Sequence, residues 1–162
     1  MIEVNDRMII RVITIGKTQK GYVKDGIAVF LDRLTHYARV EWIELDDPTA
    51  RGSDASRKEA EGELLIKQFV PGEFVVLLDE RGTELTSEAF AVWFGKRMNS
   101  GVRSVALVIG GAYGFSQTIR ARADQLLCLS RMTFPHDLVR LILAEQVYRA
   151  FTIIRGEKYH HP

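Results

Sequence analysis

Cysteine is almost absent from this sequence. The single Cys128 cannot build a disulfide framework and suits a reducing compartment. It lies inside an apolar run, where a thiol is a buried structural group. Proline is scarce at 4 residues, and with 13 glycines in 162 positions the chain is not of low complexity. No apolar stretch approaches the roughly 20 residues that a membrane span requires. The N-terminus has acidic residues before its first apolar run and no small-residue cleavage site, so no signal peptide is expected. Charge of one sign is lacking too: the net charge is +1, and bulk electrostatics do not announce a nucleic-acid partner. From Arg131 onward Arg131, Arg140, Arg149, Arg155 and Lys158 outnumber Asp137, Glu145 and Glu157, together with His136, His160 and His161. No metal is expected, because no third ligand stands at a recognisable spacing from His160 and His161. What remains is a cytoplasmic chain of one domain, with 46% hydrophobic and 27% charged residues and length enough for a full core.

Strand and helix patterns alternate along that chain. Residues 1–7 are polar and aperiodic and read as an N-terminal extension to a domain over 8–162. Met8–Ile15 and Val40–Leu45 read as strands. Between them Val23, Ile27, Phe30, Leu31 and Leu34 recur at spacings of three and four, one face of a helix. Residues 46–55 form a polar loop. Ser56 with Glu59 forms a capping-box pattern for a helix that stops at Pro71-Gly72. Phe74–Leu78 is a continuous apolar run, a buried strand leading into a tight loop at Asp79–Gly82. Thr86 caps a helix carrying Phe90, Phe94 and Met98. Two further apolar runs, Val105–Ile109 and Gln125–Leu129, flank an Arg-rich helix. The alternation predicts an α/β fold with a mainly parallel sheet covered on both faces. The last helix, about Asp137–Ile154, is apolar well beyond one stripe and must be buried on most sides. A second copy is the expected cover, in a homodimer with an isologous interface through this helix, the alternative being that the sheet and neighbouring helices cover it all.

Ligands of open α/β sheets lie beyond the carboxyl ends of the strands, which directs attention to two loops. Gly110-Gly111-Ala112-Tyr113-Gly114 follows the fourth strand. Its glycines allow close backbone approach to a phosphate or nucleoside, or serve a tight turn. Neither the G-x-G-x-x-G nor the P-loop pattern is present. The loop over Leu129, Ser130, Arg131, Met132, Thr133 and Phe134 places large apolar groups where solvated residues are usual. They line a pocket for a flat group such as adenine, or anchor the loop to the core. His136 begins the last helix as a cap or a general base. After that helix, Tyr159 and His160 offer an aromatic and an imidazole, either frayed or able to stack on a base.

Together, Ile109–Gly114, Leu129–His136, Leu138-Val139-Arg140, Glu145–Ala150 and Tyr159-His160 resemble the ribosomal RNA large subunit methyltransferase H family of the SPOUT superfamily. The likeness extends from about Met8 to the end. The family carries one basic residue after Tyr-His, whereas this chain ends His161-Pro162. The resemblance implies a trefoil-knotted α/β fold and a homodimer. It implies methyl transfer from S-adenosyl-L-methionine to N3 of a pseudouridine in 23S rRNA, on the assembled ribosome. The family's cofactor contacts carry over to Leu78, Gly110 and Leu129–Phe134. The base nitrogen must lose a proton, for which His136 and His160 are candidates, with Arg140 and Tyr159 orienting phosphate or base. Two other functions stay open: an α/β enzyme binding another nucleotide, and a non-catalytic ribosome-binding module.

Overall fold

The computed structural model describes residues 8–48 and 52–162. The expected extension over residues 1–7 and part of the polar loop, residues 49–51, lie outside that description. Ten elements alternate: β1 (Ile9–Ile15), α1 (Gly21–Leu34), β2 (Arg39–Leu45), α2 (Asp54–Gln68), β3 (Phe74–Glu84), α3 (Ser87–Asn99), β4 (Ser104–Ile109), α4 (Gln117–Arg122), β5 (Gln125–Cys128) and α5 (His136–Ile154). The strands form one sheet in the order β2-β1-β4-β3-β5, and every pairing is parallel.

Side chains of a strand point alternately to the two faces, and both faces here are apolar. Ile10, Val12, Val105 and Leu107 pack with Leu34, Phe94, Leu143 and Phe151 of α1, α3 and α5. Ile13, Val75, Val108 and Leu77 pack with Leu65 of α2 and Ile119 of α4 on the other side. This double cover explains why β3 and β4 read as unbroken apolar runs rather than alternating ones.

The long helix α5 packs against α1 and α3. Its apolar surface is only partly covered by the chain itself. Leu143, Val147 and Phe151 are buried, Leu138, Leu141 and Ile142 are half-buried, and Ile154 is exposed.

Three details differ from the sequence expectations. Ser53, not Ser56, caps α2: its Oγ accepts from the Ser56 backbone N–H at 3.3 Å, so Ser56 sits within the first turn. β5 stops at Cys128. β3 does not end at Leu78; it resumes after a register shift and pairs again through Thr83 and Glu84. Leu127 of β5 therefore pairs with both Leu78 and Thr83, and residues Asp79–Gly82 loop around it. The approach at Gly82 is extreme. A Cβ there would lie 2.5 Å from the Leu127 backbone nitrogen and 2.6 Å from the Leu126 carbonyl carbon, so only glycine fits.

The amino ends of the strands are closed by a buried polar cluster. Arg11 Nη1 donates to both oxygens of Glu73, at 3.1 and 2.9 Å, and to the Gln68 carbonyl at 2.9 Å. Glu73 also accepts from the Ser104 hydroxyl and the Val70 amide. Arg11 further pairs with Glu41. These contacts hold the start of β3 against β1, β2 and β4.

Candidate active site

The carboxyl ends of β3, β4 and β5 surround a cavity of about 500 Å³. Leu78–Arg81 form one wall, Ile109–Phe115 a second, and Ser130–Phe134 a third, with His136 and Val139 of α5 adding to the lining. Lys58 of α2 and Arg120 of α4 complete the lining. Leu78, Gly110 and residues 130–134 thus face one space. Leu129 instead lines an adjoining cavity of about 300 Å³, which shares Ser130 and Phe134 with the first.

Each wall has a local cause. The glycine turn closes tightly: a Cβ on Gly110 would meet the Phe115 ring at 2.9 Å, and Gly114 has φ +79°. Tyr113 is held over α2 by Arg57, whose Nη1 donates to the phenolic oxygen while the guanidinium covers the ring. Asp79 accepts from Arg120 Nη2 at 2.7 Å and from the Arg81 backbone N–H at 2.8 Å. Burial alone would raise the Asp79 carboxyl, but the Arg81 amide and the Arg120 guanidinium outweigh it and hold it below the usual range. In the third wall the Ser130 hydroxyl accepts from the Met132 backbone N–H at 3.0 Å, and Arg131 pairs with Glu84. Met132 is 75% exposed, an unusual state for a large apolar side chain and an available surface for a flat ligand.

His136 is the first residue of α5, with Pro135 in the cap position and no side-chain cap bond. Its exposed ring therefore lines the cavity without capping the helix. Next to it, Asp137 Oδ2 accepts from the backbone N–H groups of Gln19 and Lys20, at 2.8 and 2.7 Å, tying the start of α1 to the start of α5. Burial pushes this carboxyl up, and those amides more than offset it and hold it low.

Arg140 departs from its expected place. It is only 3% exposed and donates to the Ile15 and Gly16 carbonyls and to Thr18 Oγ1, each at 2.9 Å, and to Glu44 at 3.2 Å. Both terminal nitrogens point into the protein, where they brace the ends of β1 and β2. Orientation of an outside phosphate is not open to this side chain.

Tyr159 and His160 do not join His136. They fold back on their own chain: the Tyr159 hydroxyl donates to Glu145 at 3.0 Å, and its ring packs against Tyr148. His160 Nδ1 lies 3.0 Å from Arg149 Nη1, and Nε2 lies 2.8 Å from Glu88. Arginine can only donate, so Nδ1 is the acceptor and the ring proton sits on Nε2, facing the carboxylate. That hydrogen bond from His160 is the main reason the Glu88 carboxyl is held below its ordinary range.

Sequence reasoning missed Glu61, Arg57, Asp79 and Arg120. Only Glu61 carried a signal: it stands four residues before Leu65, on the helix face that Leu65 buries. Among the described residues, no group of three His, Cys, Asp or Glu could hold a metal ion, and no helix is long and apolar enough to cross a membrane.

A parallel sheet whose strand-end loops crowd around one cavity with an apolar cradle suits a small-molecule-dependent transferase. The family model described as "Predicted SPOUT methyltransferase" matches residues 8–160, and the chain belongs to the SPOUT methyltransferase family. Its relatives include proteins named ribosomal RNA large subunit methyltransferase H. The protein from Christiangramia forsetii is 44% identical, covering 95% of this chain and 99% of its own. That from Cytophaga hutchinsonii is 45% identical, covering 91% and 96%. That from Geotalea uraniireducens is 44% identical, covering 95% and 100%.

Proposed function

We propose that this protein transfers a methyl group from S-adenosyl-L-methionine to N3 of a pseudouridine in 23S rRNA, on the assembled ribosome and in the cytoplasm. The observation that carries the proposal is the three-walled cavity at the ends of β3, β4 and β5, in a chain whose full-length relatives are named as large-subunit rRNA methyltransferases. Its volume lies in the range of cofactor sites, roughly 300–1,000 Å³. Met132, Phe134, Ile109 and Val139 offer an apolar seat for an adenine, and the glycine turn exposes backbone at close range. The residues present therefore fit the cofactor, which supplies a methyl carbon already activated by its sulfonium.

The chain's own work is then alignment and proton removal. The turn at Gly110 and the Ser130–Phe134 loop fix the donor, and alignment of this kind supplies much of a transfer rate. His136, which lines the cavity with an exposed ring, is the candidate acceptor for the N3 proton of the target base. Arg140 braces the frame from within. Tyr159 and His160 face away from the chain's own cavity and would serve a site only through a second copy. The half-covered apolar positions of α5, Leu138, Leu141 and Ile142, support that homodimer. The loop of β3 around Leu127 supports the knotted path expected of the fold.

Calorimetric titration with S-adenosyl-L-methionine, followed by methylation of undermodified ribosomes, tests the proposal. The native protein should bind saturably and Gly110→Trp should not, because any side chain there enters the space of Phe115. Ribosome binding without cofactor affinity or methyl transfer would instead favour a non-catalytic module.

A further inference from the structure

Helix α2 carries an acid where its neighbour on the same face is apolar. Glu61 is 4% exposed, and Leu65, one turn on, is fully buried. The Glu61 carboxyl stands directly behind the glycine turn: a Cβ on Gly111 would come within 2.4 Å of Oε1 and 2.7 Å of Oε2. The Gly111 backbone amide lies beside this carboxyl and opposes the rise of its pKa, whereas Oε2 is buried with no partner among the described residues. One turn earlier on the same helix, Arg57 grips the Tyr113 hydroxyl. The turn is thus held from behind at two points, through the backbone of Gly111 and the side chain of Tyr113. Its other surface is the cavity wall.

A carboxyl in this setting is not there to strengthen the fold. A buried carboxylate with an unpaired oxygen carries a desolvation penalty, and desolvation pushes this acid up, with Asp47 adding to the effect. An apolar side chain of the same length would fill the layer without that penalty. The contact it would lose is the one to the Gly111 amide. Small displacements of a wall that positions a reacting group have large effects on binding and rate.

We infer that Glu61 is a positioning residue for the methyl-donor site, a buried acid that sets the glycine turn through the Gly111 amide without touching the cofactor itself. The inference rests on reading the cavity as that site.

Two variants separate positioning from mere packing. Glu61→Gln keeps a hydrogen-bonding carbonyl beneath Gly111; Glu61→Met keeps the length and removes the acceptor. Amide hydrogen exchange over Gly110–Gly114, measured without cofactor, reports the turn directly, and calorimetry with S-adenosyl-L-methionine reports the site. Glu61→Met should melt no lower than the native chain, yet exchange faster in the turn and bind the cofactor about tenfold more weakly, the scale of one lost hydrogen bond. Glu61→Gln should stay close to native in both. Native exchange and affinity in Glu61→Met, or equal damage in the two variants, would overturn the role of Glu61. Absence of cofactor binding by the native protein would instead defeat the functional proposal, while the exchange comparison would still decide whether Glu61 holds the turn.

Discussion

The two ends of the sheet are finished in opposite ways. At the amino ends of the strands, Arg11, Glu73, Ser104 and Glu41 form a closed cluster in which both Glu73 oxygens are paired. At the carboxyl ends the chain uses glycines, leaves Met132 in solvent and keeps one oxygen of Glu61 without a partner among the described residues. A buried ion pair is satisfied only in one geometry, so the first end fixes the strands relative to one another. The second end is concave because three loops must approach one another without filling the space between them. Exposed apolar groups and unpartnered polar atoms are not confined to the second end, since the first exposes Val70 and leaves Arg97 Nε without a partner among the described residues; what sets the second end apart is that Met132 stands beside a cavity.

The largest effect should come from breaking the closed end. Glu73→Ala leaves the Arg11 charge buried and strips partners from Ser104 and Val70, and should cost about 3–5 kcal/mol in chemical denaturation. Cofactor affinity of the folded fraction should be unchanged. A matching loss of affinity would show that the two ends are coupled and the contrast between them is false. Gly82→Ala strikes the open end instead. Its methyl would meet the backbone of Leu126 and Leu127, which flexible side-chain motion cannot relieve. It should destabilise by about 3 kcal/mol, at the upper end of ordinary overpacking, and it should also disturb the cavity wall formed by Leu78–Arg81. A native-like unfolding midpoint for Gly82→Ala would mean that β3 does not loop tightly around Leu127.

How much of this contrast is readable in the residues depends on how local each feature is. The parallel sheet is legible because Phe74–Leu78 and Val105–Ile109 are apolar on both faces. The site loops are legible because Met132 and Phe134 are out of place in a loop and Gly110-Gly111 follows a strand. The second half of β3 is not, since Asp79-Glu80-Arg81-Gly82 looks like a turn and becomes a bracket only by pairing with Leu127. Ser53 and Ser56 compete for the same cap, and local pattern favours the wrong one. Arg140 reads as a surface cation until Ile15 and Gly16 are seen to supply its acceptors. Glu61 is one acid among several on α2, distinguished by Gly111, fifty residues later in the chain.

The smallest predicted effect sharpens the contrast from the side of the open end. The Glu61 carboxyl is raised above 4.5 in the folded chain, chiefly by burial, with Asp47 adding to it and the Gly111 amide opposing. On unfolding it returns to its ordinary value. Between those two values the folded chain holds the proton and the unfolded chain releases it, so stability falls as pH rises through the window. Below the ordinary value the contribution is fully present. Asp79 and Asp137 are held low, and they act in the opposite sense and only at more acid pH, where their stabilisation disappears as pH falls through the depressed values. Urea unfolding from about pH 4.5 to about pH 7.5 should therefore show the native chain losing stability relative to Glu61→Gln, which has no proton to release. Parallel curves for the two proteins would mean that the acid behind the glycine turn titrates alike in both states, and that the open end carries no buried proton.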